Sequence, residues 1–174
     1  MSTPHKTPLR KLNLMNAHGF VRVVGHAFEH SPWVAERAFA ARPFADVAAL
    51  QSAMVAAIDA APPDLQLALL RAHPELAGRA AIGGALTAAS TAEQSGAGLG
   101  SCSPAEYAAL QSLNARYNAR FGFPFILAVK GYDRAGVIAE FERRIANSPE
   151  VERAEALRQV ARIVGLRLAA LVGC

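Results

Sequence analysis

Ser103-Pro104-Ala105-Glu106-Tyr107-Ala108-Ala109-Leu110-Gln111-Ser112-Leu113-Asn114-Ala115-Arg116-Tyr117 reads as a helix from its first residue onward. Ser103 carries the short oxygen side chain that accepts from free N–H groups at a helix start. Pro104 suits the first helical position, and Glu106 stands three residues on to complete a capping box. Behind that start, Tyr107, Leu110, Leu113, Asn114 and Tyr117 recur at spacings of three and four, which places them on one face of an amphipathic helix.

The same grammar extends in both directions. Phe20, Val23, Val24, Ala27 and Phe28 predict a helix over residues 16–29. Ser31-Pro32 reads as the N-cap and first residue of a short helix that carries Trp33 and Phe39 and stops at Arg42-Pro43. Asp46 can cap a helix with Val47, Leu50, Met54 and Ile58 on one stripe, and Pro62-Pro63 ends it and opens another over 64–72. His73-Pro74 terminates that helix, because the residue before a proline is driven out of the α region. Residues 74–87 contain Gly78, Gly83 and Gly84 without periodicity and read as a loop; Ser90-Thr91-Ala92-Glu93 then has the spacing of a second capping box. Beyond Tyr117, Phe121 to Gly131 has extended character. Two helices follow, one with Ile138, Phe141 and Ile145 and one over about 149–172 with Leu157, Val160, Val164, Leu168 and Leu171. The expected fold is all-α, a single globular domain of about seven to eight helices with one short extended segment near 123–129. Residues 1–11 are polar, with Pro4 and Pro8, and read as a flexible tail, leaving 12–174 as the domain.

Composition narrows the class further. Of 174 residues, 38 are alanine, so the 52% hydrophobic content is largely helix-forming rather than β-branched. This excludes a disordered chain and a disulfide scaffold. Cys102 and Cys174 lie far apart with no CxxC spacing, which removes zinc-ribbon and thioredoxin readings and fits a reducing compartment. No apolar signal segment follows the N-terminus. The longest apolar run, Phe123 to Val129, is far short of the roughly 20 residues of a membrane span. A cytoplasmic protein without a membrane partner is expected. The net charge of +4 is dispersed rather than clustered with aromatics, so a small anionic substrate fits it better than nucleic acid.

Several residues have local readings of two kinds. His73 ends a helix and is followed by a loop of small residues, so it suits either proton transfer near neutral pH or a favourable contact with the helix dipole. Glu93 can serve the Ser90 cap or face a pocket beside Gln94. Gly96, Gly98 and Gly100 follow no strand and lack nucleotide-loop spacing. His26 and His30, four apart, would share a helical face as metal ligands, yet no third ligand stands near them and HExxH is absent, so no metal is expected. There is no Gly-x-Ser-x-Gly elbow, and Cys102 has no histidine nearby in sequence.

Taken together, His73-Pro74-Glu75-Leu76-Ala77-Gly78, Leu86-Thr87, Ser90-Thr91-Ala92-Glu93-Gln94 leading to Ala97-Gly98-Leu99, Leu113-Asn114, and Phe121 to Ile126 through Val129-Lys130-Gly131 closely resemble the signature of the OHCU decarboxylases. Those enzymes convert 2-oxo-4-hydroxy-4-carboxy-5-ureidoimidazoline to (S)-allantoin in urate breakdown. The likeness extends to Phe28-Glu29 with Ser31-Pro32-Trp33, to Arg42-Pro43-Phe44 and to Leu166-Arg167-Leu168, and so covers about residues 12–172 in order.

The resemblance implies a cofactor-free, helical homodimer that acts downstream of uricase and hydroxyisourate hydrolase on a small anionic ureidoimidazoline. It implies His73 as the catalytic acid/base, with Pro74 beside it; Glu93 is expected as the second catalytic residue, which accepts from ring or ureido N–H groups and holds the imidazole's protonation state. Ser90, Gln94 and the segment Phe125, Ile126, Leu127, Ala128 and Val129 would contact the substrate. Arg167 would hold the carboxylate, with Arg143, Arg158 and Arg162 as competitors for that role. The substrate's own C=N bond accepts the electrons that CO2 leaves behind, which explains why no pyridoxal, thiamine or metal motif is needed. Competing readings are a non-catalytic helical interaction domain and a related decarboxylase acting on another cyclic ureido acid.

Overall fold

Five of the helices begin where a side chain caps them. The computed structural model describes residues 6–78 and 84–173. Among these it holds α1 (Leu9–Leu14), α2 (Ala17–Val24), α3 (Trp33–Ala38), α4 (Val47–Asp59), α5 (Pro63–Arg71), α6 (Ala88–Gly96), α7 (Pro104–Phe121), α8 (Arg134–Arg144) and α9 (Pro149–Leu171). Asn16, Asp46 and Asp133 each accept from a backbone N–H three residues on, at 2.8, 2.7 and 2.8 Å. The Ser103 box closes in both directions: the Glu106 N–H donates to Ser103 Oγ at 3.2 Å and the Ser103 N–H to Glu106 Oε2 at 2.8 Å. The all-α class is as expected.

The chain divides into two compact units, Met1–Ala72 with Ala161–Cys174, and His73–Val160. The first contains α1 to α5 and the end of α9. Leu50, Met54 and Ile58 form the buried stripe of α4, as the spacing predicts, while Val47, expected with them, is half-buried. Leu12, Phe20, Val24, Val34, Leu69 and Leu168 are fully buried in the same unit. Arg42 lies 3.5 Å from the Phe39 ring centroid and donates to the carbonyls of Asn13 and Met15. A two-residue strand β1 (Thr7–Pro8) pairs in parallel with β2 (Val172–Gly173), Thr7 opposite Val172 and Pro8 opposite Gly173.

That pairing corrects the expected tail. Thr7 and Pro8 are in a ladder and Leu9 and Leu12 are buried, so order begins well before residue 12. Residues 1–5 lie outside the described chain. The helix expected over 16–29 ends at Val24 and tightens into a 3-10 turn, Gly25–Ala27, while His30 is left-handed at φ 48°. His26 and His30 therefore share no helical face. α3 starts at Trp33 without a side-chain cap from Ser31.

The second unit is built on α7, which buries Leu110, Leu113, Asn114 and Tyr117. Tyr117 meets Phe123 and Phe125 edge-on at 5.8 and 5.4 Å, and Phe125 stacks on Phe141 at 3.9 Å. The buried face of α8 is Val137, Phe141 and Arg144. This turns it by one residue from the expected Ile138, Phe141 and Ile145. Residues 124–129 belong to neither a helix nor a ladder, in keeping with the expected irregular segment. Of the glycine-containing loop expected over 74–87, residues 79–83 lie outside the described chain.

Candidate functional site

α5 stops at Arg71, and His73 follows two residues later with only 7% of its surface exposed. The setting of a buried imidazole at a helix end depends on the chain that leaves the helix. Here that chain is a turn in which Ala77 is left-handed at φ 50°, a conformation uncommon for any residue with a Cβ. The Ala77 N–H donates to Gln94 Oε1 at 2.9 Å, and Gln94 Nε2 donates to the Glu75 carbonyl at 3.3 Å. The segment behind His73 and the segment around Gln94, remote in sequence, are thus joined by both ends of one amide.

The cap of α6 is Thr87, whose side-chain oxygen accepts from the Ser90 N–H at 3.2 Å. The capping box expected at Ser90 and Glu93 is therefore one turn late. Ser90 and Gln94, four apart, are the buried residues of α6, as neighbours on one helical face should be. Glu93 is half-buried beside them.

The irregular segment is anchored from behind. Arg144 is fully buried; its Nη1 donates to the Ile126 carbonyl at 2.7 Å and its Nε to Glu152 Oε1 at 2.9 Å. Tyr117 also donates its hydroxyl to Glu152. Burial, followed by the hydrogen bond to Glu152, pushes the phenol far above its ordinary range. Gln159 Oε1 accepts from the Ala128 N–H at 3.0 Å. Phe125, Ile126, Leu127 and Val129 are buried and Ala128 half-buried. None of Arg144, Glu152, Tyr117 or Gln159 was expected as a support. The signal available for Arg144 was its place three residues after Phe141 and seven after Val137.

Arg167 belongs to the first unit. It is 7% exposed, pairs with Glu29 Oε1 at 3.0 Å, and donates to the Ala27 carbonyl at 3.4 Å. Among its competitors, Arg143 and Arg158 lie on the surface against Glu140 and Glu155, and Arg162 is exposed. Glu29, expected only as part of a motif, is its buried carboxylate partner.

Among the described residues no three His, Cys, Asp or Glu side chains gather as a metal cluster, and no single helix is long and apolar enough to cross a membrane. A model of the OHCU decarboxylase family matches residues 13–169. The chain belongs to that family. It is 45% identical over 165 residues to the 2-oxo-4-hydroxy-4-carboxy-5-ureidoimidazoline decarboxylase of Haloferax volcanii, covering 95% of this chain and 96% of that one. It is likewise 45% identical over 163 residues to the enzyme of the same name from Mus musculus, covering 94% and 92%. Its fold is similar to the crystal structure of (S)-allantoin synthase, with a TM-score of 0.75 and 29% identity over 95% of this chain and 54% of that chain. Within an OHCU decarboxylase, the buried His73 and the turn joined to Gln94 become the centre of interest.

Proposed function

We propose that this protein decarboxylates 2-oxo-4-hydroxy-4-carboxy-5-ureidoimidazoline to (S)-allantoin in urate catabolism. The observation that carries the reading is the buried His73 on a turn tied to Gln94, within a chain that matches the family over residues 13–169.

The chemistry asks little of the protein beyond orientation and proton transfer. As the C4–carboxylate bond breaks, its electron pair forms a C4=C5 bond, the former C=N pair moves to nitrogen, and that nitrogen takes a proton. The resulting enol then loses its O–H proton while C5 gains one. His73 is the proposed acid/base for these transfers. Glu93 accepts from ring or ureido N–H groups. Gln94 has its oxygen engaged by Ala77 and one Nε2 hydrogen engaged by Glu75, so it offers its second amide hydrogen to the ureido carbonyl. Pro74, Ser90 and the backbone of Phe125 to Val129 frame the ring. Arg167 suits the departing carboxylate because its planar fork matches two oxygens, and loss of CO2 weakens that hold.

The same reading makes the protein a cytoplasmic homodimer that receives its substrate from urate oxidation and hydrolysis of the oxidised ring. Size-exclusion chromatography with light scattering tests the dimer. For the activity, uricase and hydroxyisourate hydrolase generate the substrate in place, and optical rotation tracks (S)-allantoin. Wild type accelerates its appearance over the slow racemic decay and His73→Ala does not. No acceleration by wild type would refute the activity, and a full rate in His73→Ala would refute the role of His73.

A further inference from the structure

The turn after His73 is met along its length by side-chain amides. The three successive carbonyls of Glu75, Leu76 and Ala77 accept from Gln94 Nε2 at 3.3 Å, Asn114 Nδ2 at 3.0 Å and Gln111 Nε2 at 2.7 Å. Asn118 Nδ2 adds a bond to the Glu75 carboxylate at 2.5 Å. Gln111, Asn114 and Asn118 are spaced three and four apart, so they form one row along α7. They meet Ala77, Leu76 and Glu75 in that order, which sets the turn antiparallel to the helix, about one residue for each helical turn.

Two features of this arrangement are costly in themselves. Ala77 is held at φ 50°, and such strain persists only where the surroundings over-determine it. Asn114 Oδ1 is buried without a partner among the described residues, although buried acceptors are nearly always paired. An apolar side chain at 114 would avoid that orphan but would leave the Leu76 carbonyl unmet.

We propose that Gln111, Asn114 and Asn118, with Gln94, form an amide rack that sets the direction of the His73 imidazole, making them positioning residues for the decarboxylation. The inference rests on the reading of His73 as the acid/base. A proton delivered to one face of C5 gives one enantiomer, and an imidazole free to swing loses both rate and facial choice. Gln111 is the cleanest probe because its amide donates to the turn at the Ala77 backbone and the residue is half-buried rather than enclosed.

The test uses the full chain in the coupled assay and reads kcat, KM and the enantiomeric excess of allantoin for wild type, Gln111→Met, Gln111→Lys and His73→Asn. Gln111→Met keeps the length and removes the donor. It should lower kcat by about ten- to a hundredfold, leave KM unchanged and reduce the enantiomeric excess. Gln111→Lys, which restores an N–H donor at similar reach, should recover most of the loss. Should Gln111→Met fail to fold, Asn118→Leu gives the same reading from the other end of the rack. Wild-type kcat and enantiomeric excess in the folded variant would overturn the rack. A wild-type rate in His73→Asn would instead overturn the acid/base reading on which it rests.

Discussion

Arg144 Nη1 donates to the carbonyl of Ile126 at 2.7 Å from a guanidinium that is wholly buried. The charge is tolerable because Glu152, equally buried, answers it. Removing one member of such a pair leaves the other charged and unanswered. Arg144→Met should therefore lower the unfolding free energy by about 3–5 kcal/mol, read by urea denaturation. Replacing Glu152 by methionine as well should recover part of that loss.

Ala77→Gly and Gly78→Ala, reverse exchanges at neighbouring positions, should have opposite effects on stability. Ala77→Gly relieves the left-handed strain at φ 50° and should stabilise by about 1 kcal/mol, a rise of roughly 2–4 °C in melting temperature. Gly78→Ala would set a Cβ 2.7 Å from the Cβ of Glu75, and should destabilise by about 1–3 kcal/mol. Calorimetry of the two variants beside wild type checks both signs.

Glu106 carries a pH dependence. Hydrogen bonds from the Ser103 backbone and side chain, then from Arg134, hold its carboxyl below the ordinary glutamate range. The folded value lies below the unfolded value of about 4.3, so the contribution is complete above that range and is lost as pH falls through the folded value. The melting-temperature gap between wild type and Glu106→Gln should be constant near neutrality and close on acidification below about pH 4.

On the proposed role of Arg167 as the group that holds the substrate carboxylate, Glu29, which pairs with it at 3.0 Å, should matter to substrate binding. Glu29→Leu strands a buried guanidinium and should destabilise by about 3–5 kcal/mol. Glu29→Gln keeps an acceptor and should cost less, while KM rises because Arg167 is held less firmly. Steady-state kinetics on Glu29→Gln reads the second effect apart from the first.

Most helix starts were legible because their causes are local. Asp46 bonds three residues ahead, and so does Ser103. At α6 the box spacing of Ser90 and Glu93 pointed to the wrong cap: Thr87, three residues earlier and without a Glu or Gln to mark it, caps the helix, and Ser90 is buried inside it. The identity of His73 and the segments around it was carried by ordered motifs along the chain. What those motifs left hidden were the partners that hold them. Arg144 was obscured because arginine is almost never fully buried unless paired, and its partner lies on another helix. The amides of α7 read as ordinary polar positions until the turn lies against them. The strand pair escaped notice because two residues leave no period to read.

The first unit draws on both ends of the chain, with Arg167 bonded to Ala27 and Thr7 paired to Val172, whereas the second is a single continuous stretch. A ribosome delivering the protein from its N-terminus therefore supplies the whole stretch 73–160 while the earlier-starting unit still lacks the end of α9 and β2. The region begun first is completed last.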